Sequence, residues 1–309
     1  MSFYSHNMSM NRLSHEKRCG VVRALVEGVS VRGTARLTGV SKQTILTFLL
    51  DIGRACVNHE DSAIRGLHCE HVEADEVWGF VHCKDRHAPK AKGGIDHVGS
   101  AWTWYAVDRK SKMILSWIMG ARDQEHAYAL MRDLAGRLCA RPQISTDSLG
   151  AYPAAVSEAF FGKGVDYGQI HKIYRSTQTE ERHYSPSACI GCERRAVRGN
   201  PKVDEIGTSR IERANLTLRM SQRRWTRLTN AHSKSFKHME AAFALHACYY
   251  NWCRKHATVG STPAQAAGLA DHQWTISELV GLLESGEQAE IDSGSLKRGR
   301  YRRRSGNSN

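Results

Sequence analysis

The run His71-Val-Glu-Ala-Asp-Glu-Val-Trp-Gly-Phe-Val81 decides how this chain folds. Its β-branched and aromatic residues suit a pleated strand. With a side-chain period of two, Glu73, Asp75 and Val77 share one face, while Ala74 and Glu76 take the other. Carboxylates crowded into one apolar strand repel each other unless something neutralises them. A strand end facing water would also tolerate them, but the apolar neighbours argue for a bound cation. Asp75 is the first candidate ligand; the strand by itself also allows Glu73 or Glu76.

Working outward, Trp102-Thr-Trp-Tyr-Ala-Val-Asp108 and Ile114-Leu-Ser-Trp-Ile-Met119 read as two further strands. Asp108-Arg-Lys-Ser-Lys112 makes the turn between them. Residues 124 to 138 have helical periodicity through Ala127, Leu130, Met131, Leu134 and Leu138. A strand ending near Asp147 follows, then a helix over 153–161 and a fifth strand over 167–174. Three strands, helix, strand, helix, strand, helix is the order of the ribonuclease H-like fold. The expectation is therefore an α/β mixed sheet with flanking helices. Residues 175–208 lack periodicity and read as an inserted loop. A long amphipathic helix is expected from about Ser233 to Lys255.

Two more acids matter. Asp147 closes Pro142-Gln-Ile-Ser-Thr-Asp-Ser148. An Asp after a strand is often only a turn former. It can also sit at the strand ends, where α/β sheets bind ligands. Glu212 lies in Ser209-Arg-Ile-Glu-Arg-Ala-Asn-Leu-Thr-Leu-Arg219. Ser209 and Glu212 match a capping box, which could be the whole role of the glutamate. Glu212 also shares a helix face with Asn215, Leu216 and Arg219. Arg210, Arg213, Arg223, Arg224 and Arg227 make this segment a phosphate track. Hard oxygen-loving cations such as Mg²⁺ would hold three such carboxylates together.

Upstream, residues 11 to 57 read as helices, and 58 to 68 as a polar linker. Ser14 and Ser41 are N-caps, Gly28 ends the first helix, and Gly39 makes the turn between the second and third. With Ala35 small and Ile45 and Phe48 buried, this is a helix-turn-helix pattern. Ser41, Lys42, Gln43 and Thr44 would then meet base edges and phosphates. A plain three-helix bundle is the alternative. The net charge of +13 and pI near 9.5 favour a polyanionic partner. No apolar run is long enough to span a membrane, and the first residues do not form a signal peptide. Nine scattered cysteines then read as reduced thiols of a cytoplasmic protein. Leu296-Lys-Arg-Gly-Arg-Tyr-Arg-Arg-Arg304 reads as a basic tail.

Four of these motifs resemble a bacterial insertion-sequence transposase, most closely the insertion sequence 1 family. They are Glu76-Val-Trp-Gly-Phe-Val81, Trp102-Thr-Trp-Tyr-Ala-Val-Asp-Arg-Lys110, Thr146-Asp-Ser-Leu-Gly-Ala-Tyr152 and Ser209–Arg219. The likeness extends over roughly 15–270 and includes Asn251-Trp-Cys-Arg-Lys-His256 and Thr262-Pro-Ala-Gln-Ala-Ala267. It implies an Asp-Asp-Glu catalytic and metal-binding triad of Asp75, Asp147 and Glu212, with Arg219 as the basic residue after the glutamate. It implies two divalent ions, Mg²⁺ or Mn²⁺, about 3.5–4 Å apart, cutting DNA and joining the freed 3′ end to a target. Partners would be double-stranded DNA, as element terminal inverted repeats and as target, and further copies of the chain. The location would be the bacterial nucleoid. Arg213, Arg219 and Arg223 would join Ser41 to Thr44 in holding DNA. A ribonuclease H-like nuclease without joining activity, or a DNA-binding regulator derived from a transposase, would share most of these residues.

Two departures stand out. Family members often carry an N-terminal zinc finger, but only Cys19 precedes residue 56. Cys189-Ile-Gly-Cys192, with His171 and His183 nearby, offers a lone Cys-x-x-Cys where structural zinc needs four ligands. Reduced thiols are the favoured reading there. The expected organisation is a helix-turn-helix domain over 1–58 and a catalytic domain over 59–260. A C-terminal extension over 261–309 would follow.

Overall fold

The computed structural model of the 309-residue chain describes residues 12–90, 98–174, 189–226 and 229–293. Its centre is a six-stranded mixed sheet. The strands are β1 (His71–Val81), β2 (Gly99–Asp108), β3 (Ile114–Gly120), β4 (Gln143–Asp147), β5 (Asp166–Tyr174) and β6 (Cys189–Arg198). They lie in the order β3-β2-β1-β4-β5-β6. β1, β2 and β3 form an antiparallel meander, β4 joins β1 in parallel, and β5 joins β4 in parallel. β6 closes the sheet antiparallel to β5. The meander-then-crossover order anticipated from the sequence is the order found.

Helices cover both faces. α4 (Gln124–Arg137) and α5 (Tyr152–Ala159) lie on the face that presents Trp104, where Tyr152 meets the Trp104 ring edge-on. α6 (Ser209–Ser221) and α7 (Phe236–Cys248) lie on the face that presents Tyr105 and Thr103. There Phe243 packs against Tyr105, Trp117 and Trp225. Successive residues of β2 thus serve opposite layers, as pleating requires.

Before the sheet come α1 (His15–Val26), α2 (Val31–Thr38) and α3 (Lys42–Ala63). Ser14, Ser30 and Ser41 cap them, each hydroxyl accepting a backbone N–H three residues on. Gly28 and Gly39 take the left-handed backbone, at φ +74° and +68°. The boundary expected at residue 58 falls inside α3, which runs through the presumed linker to Ala63. Within its polar-looking end Glu60 is buried, while Asn58, Asp61 and Ser62 stay exposed. Glu60 accepts hydrogen bonds from Trp117 and Asn251, and Arg137 donates to the Glu60 carbonyl. Gly53 lets α3 lie against α7, since a Cβ there would stand 2.7 Å from that of Ala241.

Of the expected C-terminal extension, residues 261–293 are described and pack on the rest of the chain. α8 (Pro263–Ala266) and α9 (Ile276–Asp292) follow, and Leu279, Val280 and Leu283 of α9 enter the same core as α1 and α3. Arg18 of α1 pairs with Glu284 and Glu287 of α9. The expected inserted loop at 175–208 contains β6. It escaped the sequence pattern because nearly every residue of this edge strand faces solvent, so no apolar alternation marks it. The long helix ends at Cys248 and continues as a wider π-helical turn, Tyr249–Cys253. Arg227, His183 and the basic tail lie outside the described residues.

Candidate metal centre

The site begins where two strands part. β1 and β4 pair only over His71–Glu73 and Gln143–Ser145. Two residues later β1 presents Asp75 and Glu76, while β4 ends at Asp147. In α/β sheets, ligands bind outside the strand ends, at places where neighbouring strands part in this way. One carboxylate oxygen from each of Asp75, Glu76 and Asp147 lies within 4.8 Å of the other two. Trans oxygens around an octahedral Mg²⁺ stand about 4.2 Å apart, twice the metal–oxygen bond, so at most a small approach of these oxygens would let one cation bridge them.

Each acid is aimed by a neighbour. Asp75 Oδ2 accepts a hydrogen bond from Asn215 Nδ2 on α6 at 2.7 Å. The buried Tyr105 hydroxyl in turn donates to Asn215 Oδ1. Glu76 sits on the other sheet face. Its Oε1 pairs with Arg122 at 2.6 Å, and its Oε2 accepts from Tyr152 at 2.9 Å. Asp147 Oδ1 accepts the Leu149 N–H at 2.9 Å, so the turn-forming role is real and leaves the second oxygen for the cluster. Glu73 is diverted. Its Oε2 accepts the N–H groups of Arg210 and Ile211, satisfying the first turn of α6.

The electrostatics fit a cation. Burial, and then the nearby Asp147 carboxylate, push Asp75 up to about 6. Burial, then Asp147 and Asp75, push Glu76 up to about 7, against the opposing pull of Arg122. Crowded, desolvated carboxylates that resist ionisation are what a divalent ion would stabilise.

Glu212 is not in this group of three. Its carboxylate takes an ion pair from Lys172 of β5 and a hydrogen bond from the Thr208 hydroxyl. The expected Ser209 cap is absent, because the N-cap is Thr208 and Glu73 satisfies the exposed amides instead. Glu212 nevertheless lies one helical turn before Asn215, the residue that touches Asp75. Lys172 is also close enough to Asp75 to favour its ionised form. The Lys172 ammonium is thus paired with one acid and acts electrostatically on the other.

Sequence reasoning missed Asn215, Arg122 and Tyr152, and ranked Glu76 behind Asp75. Asn215 carried one signal, its place on the Glu212 face. Tyr152 carried only its place at the end of the Thr146–Tyr152 motif and Arg122 carried none, since both reach Glu76 from elements distant in sequence.

The expected DNA-facing residues divide. Ser41 and Thr44 are exposed but engaged with each other at the start of α3. Lys42 and Gln43 are exposed beside them, and Arg213 is exposed on α6. Lys42 and Arg223 line one cavity of about 580 Å³, together with Arg32, Arg224 and Lys234. Among the described residues no Asp or Glu lines it. Burial lowers Arg224 to about 10. Arg219 is half-buried on α6, near enough to Tyr105 to act on it electrostatically. Cys189 and Cys192 are exposed free thiols on β6. Among the described residues they have no further His, Cys or carboxylate completing a metal group, and His171 bonds Ser148 instead. No helix among those residues is long and apolar enough to cross a membrane.

No known protein family and no curated protein matches the chain. Among solved structures it is similar to Argonaute of Aquifex aeolicus, at 10% identity and TM-score 0.26 over 44% of this chain and 23% of that one. It is similar to the Mos1 transposase paired-end complex with the left transposon end, at 12% identity and TM-score 0.23 over 54% of this chain and 61% of that one. The piggyBac transposase synaptic complex with hairpin DNA gives 10% identity and TM-score 0.37 over 96% and 77%. The chain thus spans less than two thirds of the Argonaute and Mos1 chains. Scores this low leave the weight on the strand order and the acids of the chain itself, and the insertion-sequence resemblance on its motifs alone.

Proposed function

We propose that this protein is a metal-dependent DNA transposase, cutting at element ends and joining them to target DNA. The observation that carries the reading is the convergence of Asp75, Glu76 and Asp147 at the parting of β1 and β4. Asp75 and Asp147 would hold Mg²⁺ or Mn²⁺, with Glu76 as a third oxygen donor. Glu212 joins them from α6 once Lys172 is displaced. Bound divalent ions supply charge neutralisation at a phosphodiester and a water acidic enough to attack it. The chain's own work is orientation. Tyr105 and Asn215 fix the Asp75 carboxylate, while Arg122 and Tyr152 fix that of Glu76. Lys42, Gln43, Arg213, Arg219 and Arg223 hold DNA, Lys42 and Arg223 through the basic cavity. Ser41 and Thr44 contribute by shaping the start of α3. Joining two ends calls for more than one copy of the chain.

The test incubates the full chain with Mg²⁺ and a duplex carrying the element's terminal repeats. Joined products support a transposase. Cut products alone would make it a nuclease, and a shifted band without cutting a regulator. Asp75→Ala, Asp147→Ala and Glu212→Ala should each abolish cleavage while end binding persists. A variant that still cuts removes its residue from the set.

A further inference from the structure

β1 does not end its work at the acids. On the face that carries Glu76, the next two side chains along the strand are Trp78 and Phe80. Both rings are partly open to solvent, and among the described residues neither is packed against the main hydrophobic core. Burying a large apolar side chain stabilises a fold by about 1.5–3 kcal/mol, so two aromatics kept partly open forgo some of that gain. Their centroids are 5.4 Å apart, and Phe80 stacks on His232 at 4.5 Å with 26° between the ring planes.

The row is held in place. The Trp78 indole N–H donates to Ser100 Oγ at 2.8 Å, and that hydroxyl donates to Asp85 at 2.5 Å. Asp85 also accepts the Ser100 N–H. The indole edge is thereby pinned. Opposite Trp78 in register lies Trp102, with the Arg122 guanidinium 4.9 Å from its ring centroid. This is the same arginine that pairs with Glu76. Exposed Lys84 and Arg86 follow β1, and exposed Lys234 sits beside His232. One end of the row meets the carboxylate cluster. At the other end, His232 lines the basic cavity.

Flat π-surfaces flanked by cations suit nucleobases, whose own faces stack on aromatic rings while the backbone phosphates meet lysine and arginine. Bases inside a duplex already stack on each other, so only unpaired ones can use such a surface. We propose that Trp78, Phe80 and His232 form a stacking platform for unpaired bases of the DNA strand whose phosphate reaches Asp75, Glu76 and Asp147. This assignment rests on the DNA-processing reading above and adds that the strand is locally unpaired next to the cluster.

The test measures binding of a fluorescein-labelled dT homopolymer and of a duplex of equal length, without divalent ions. It uses the full chain and the Trp78→Ala, Trp78→Phe and Phe80→Leu variants, each checked by circular dichroism. Loss of one ring should weaken dT binding about tenfold, from stacking contributions of about 1–3 kcal/mol per base. Trp78→Phe should retain most of the affinity, and duplex affinity should change less than about twofold. Unchanged dT binding in Trp78→Ala and Phe80→Leu overturns the platform. So does an equal loss for duplex and single strand, which would mark a general polyanion surface. Should Trp78→Ala fail to fold, Phe80→Leu decides, because it keeps apolar bulk and removes only the ring. Divalent-dependent cutting by the unaltered protein is read separately. A chain that never cuts yet loses dT binding in the variants keeps the platform and loses the transposase reading.

Discussion

If the cluster takes up a cation as proposed, binding should release protons, because burial and mutual repulsion raise Asp75 to about 6 and Glu76 to about 7. If an ion needs both groups ionised, protonation weakens its binding roughly 20-fold at pH 6 but only about 1.1-fold at pH 8. The predicted gain between those pH values is therefore roughly 20-fold in affinity, or about 1.8 kcal/mol. Glu76→Gln removes the larger share and should leave a dependence of about twofold or less, set by Asp75 alone. Electron paramagnetic resonance of free Mn²⁺, titrated at pH 6, 7 and 8, reads the affinities. Calorimetry in two buffers of different ionisation enthalpy counts the protons. The sign extends to stability. Both folded values lie above the ordinary carboxyl values of 3.8 and 4.5, so the contribution of these groups is full below about pH 4 and is lost as pH rises through 6 and 7. Mg²⁺ should accordingly raise the melting temperature more at pH 8 than at pH 6. Mn²⁺ affinity that is flat from pH 6 to 8, or full pH dependence retained by Glu76→Gln, would refute the shared site.

Other perturbations test the scaffold. Gly53→Ala sets a Cβ 2.7 Å from that of Ala241 and 2.8 Å from its Cα. The new methyl meets backbone that cannot step aside, and urea denaturation should show a loss of about 1–3 kcal/mol. Asn251→Ala removes the amide that bonds both the N–H and the carbonyl of Ile114 and also donates to Glu60. A loss of about 3 kcal/mol or more is expected by the same assay, and a loss under about 1 kcal/mol would show that water replaces the amide. Burial raises Glu60 to about 8, so its share of stability is full below the ordinary value of 4.5 and falls as pH rises through 8. Denaturation midpoints at pH 6 and pH 9 should differ in that direction, and by less in Glu60→Gln. Glu73→Ala uncovers the N–H groups of Arg210 and Ile211 and should cost about 1–2 kcal/mol. Cleavage should fall with it, although Glu73 would bind no ion. Normal cleavage in that variant would detach α6 from the chemistry.

What the sequence disclosed follows from how locally each feature is encoded. Strand order was legible because β1, β2 and β3 carry dense aromatic and β-branched runs, and because α4 repeats its apolar residues every three to four positions. The helix caps were legible because Ser14 and Ser41 act on amides three residues away. β6 was not, since an edge strand that buries little leaves no pattern. The end of α3 was misread because Glu60 looks solvent-facing until Trp117 and Asn251 arrive from far along the chain. The same limit applies at the site. Asp75 and Asp147 could be nominated from their settings, whereas the ranking of Glu73, Glu76 and Glu212 depends on which partner reaches each first. Arg210, Arg122 and Lys172 are those partners, and none adjoins its acid in sequence.

One consequence of α3 concerns distance. Its 22 residues make a rod about 33 Å long, at 1.5 Å per residue. One end presents Lys42 to the basic cavity, and the other is locked under β3 through Glu60. A rod locked at one end carries its other end with it. If Lys42 holds DNA as proposed, its place relative to the sheet is set by the contacts of Glu60, so loosening that distant carboxylate should also loosen the grip at Lys42.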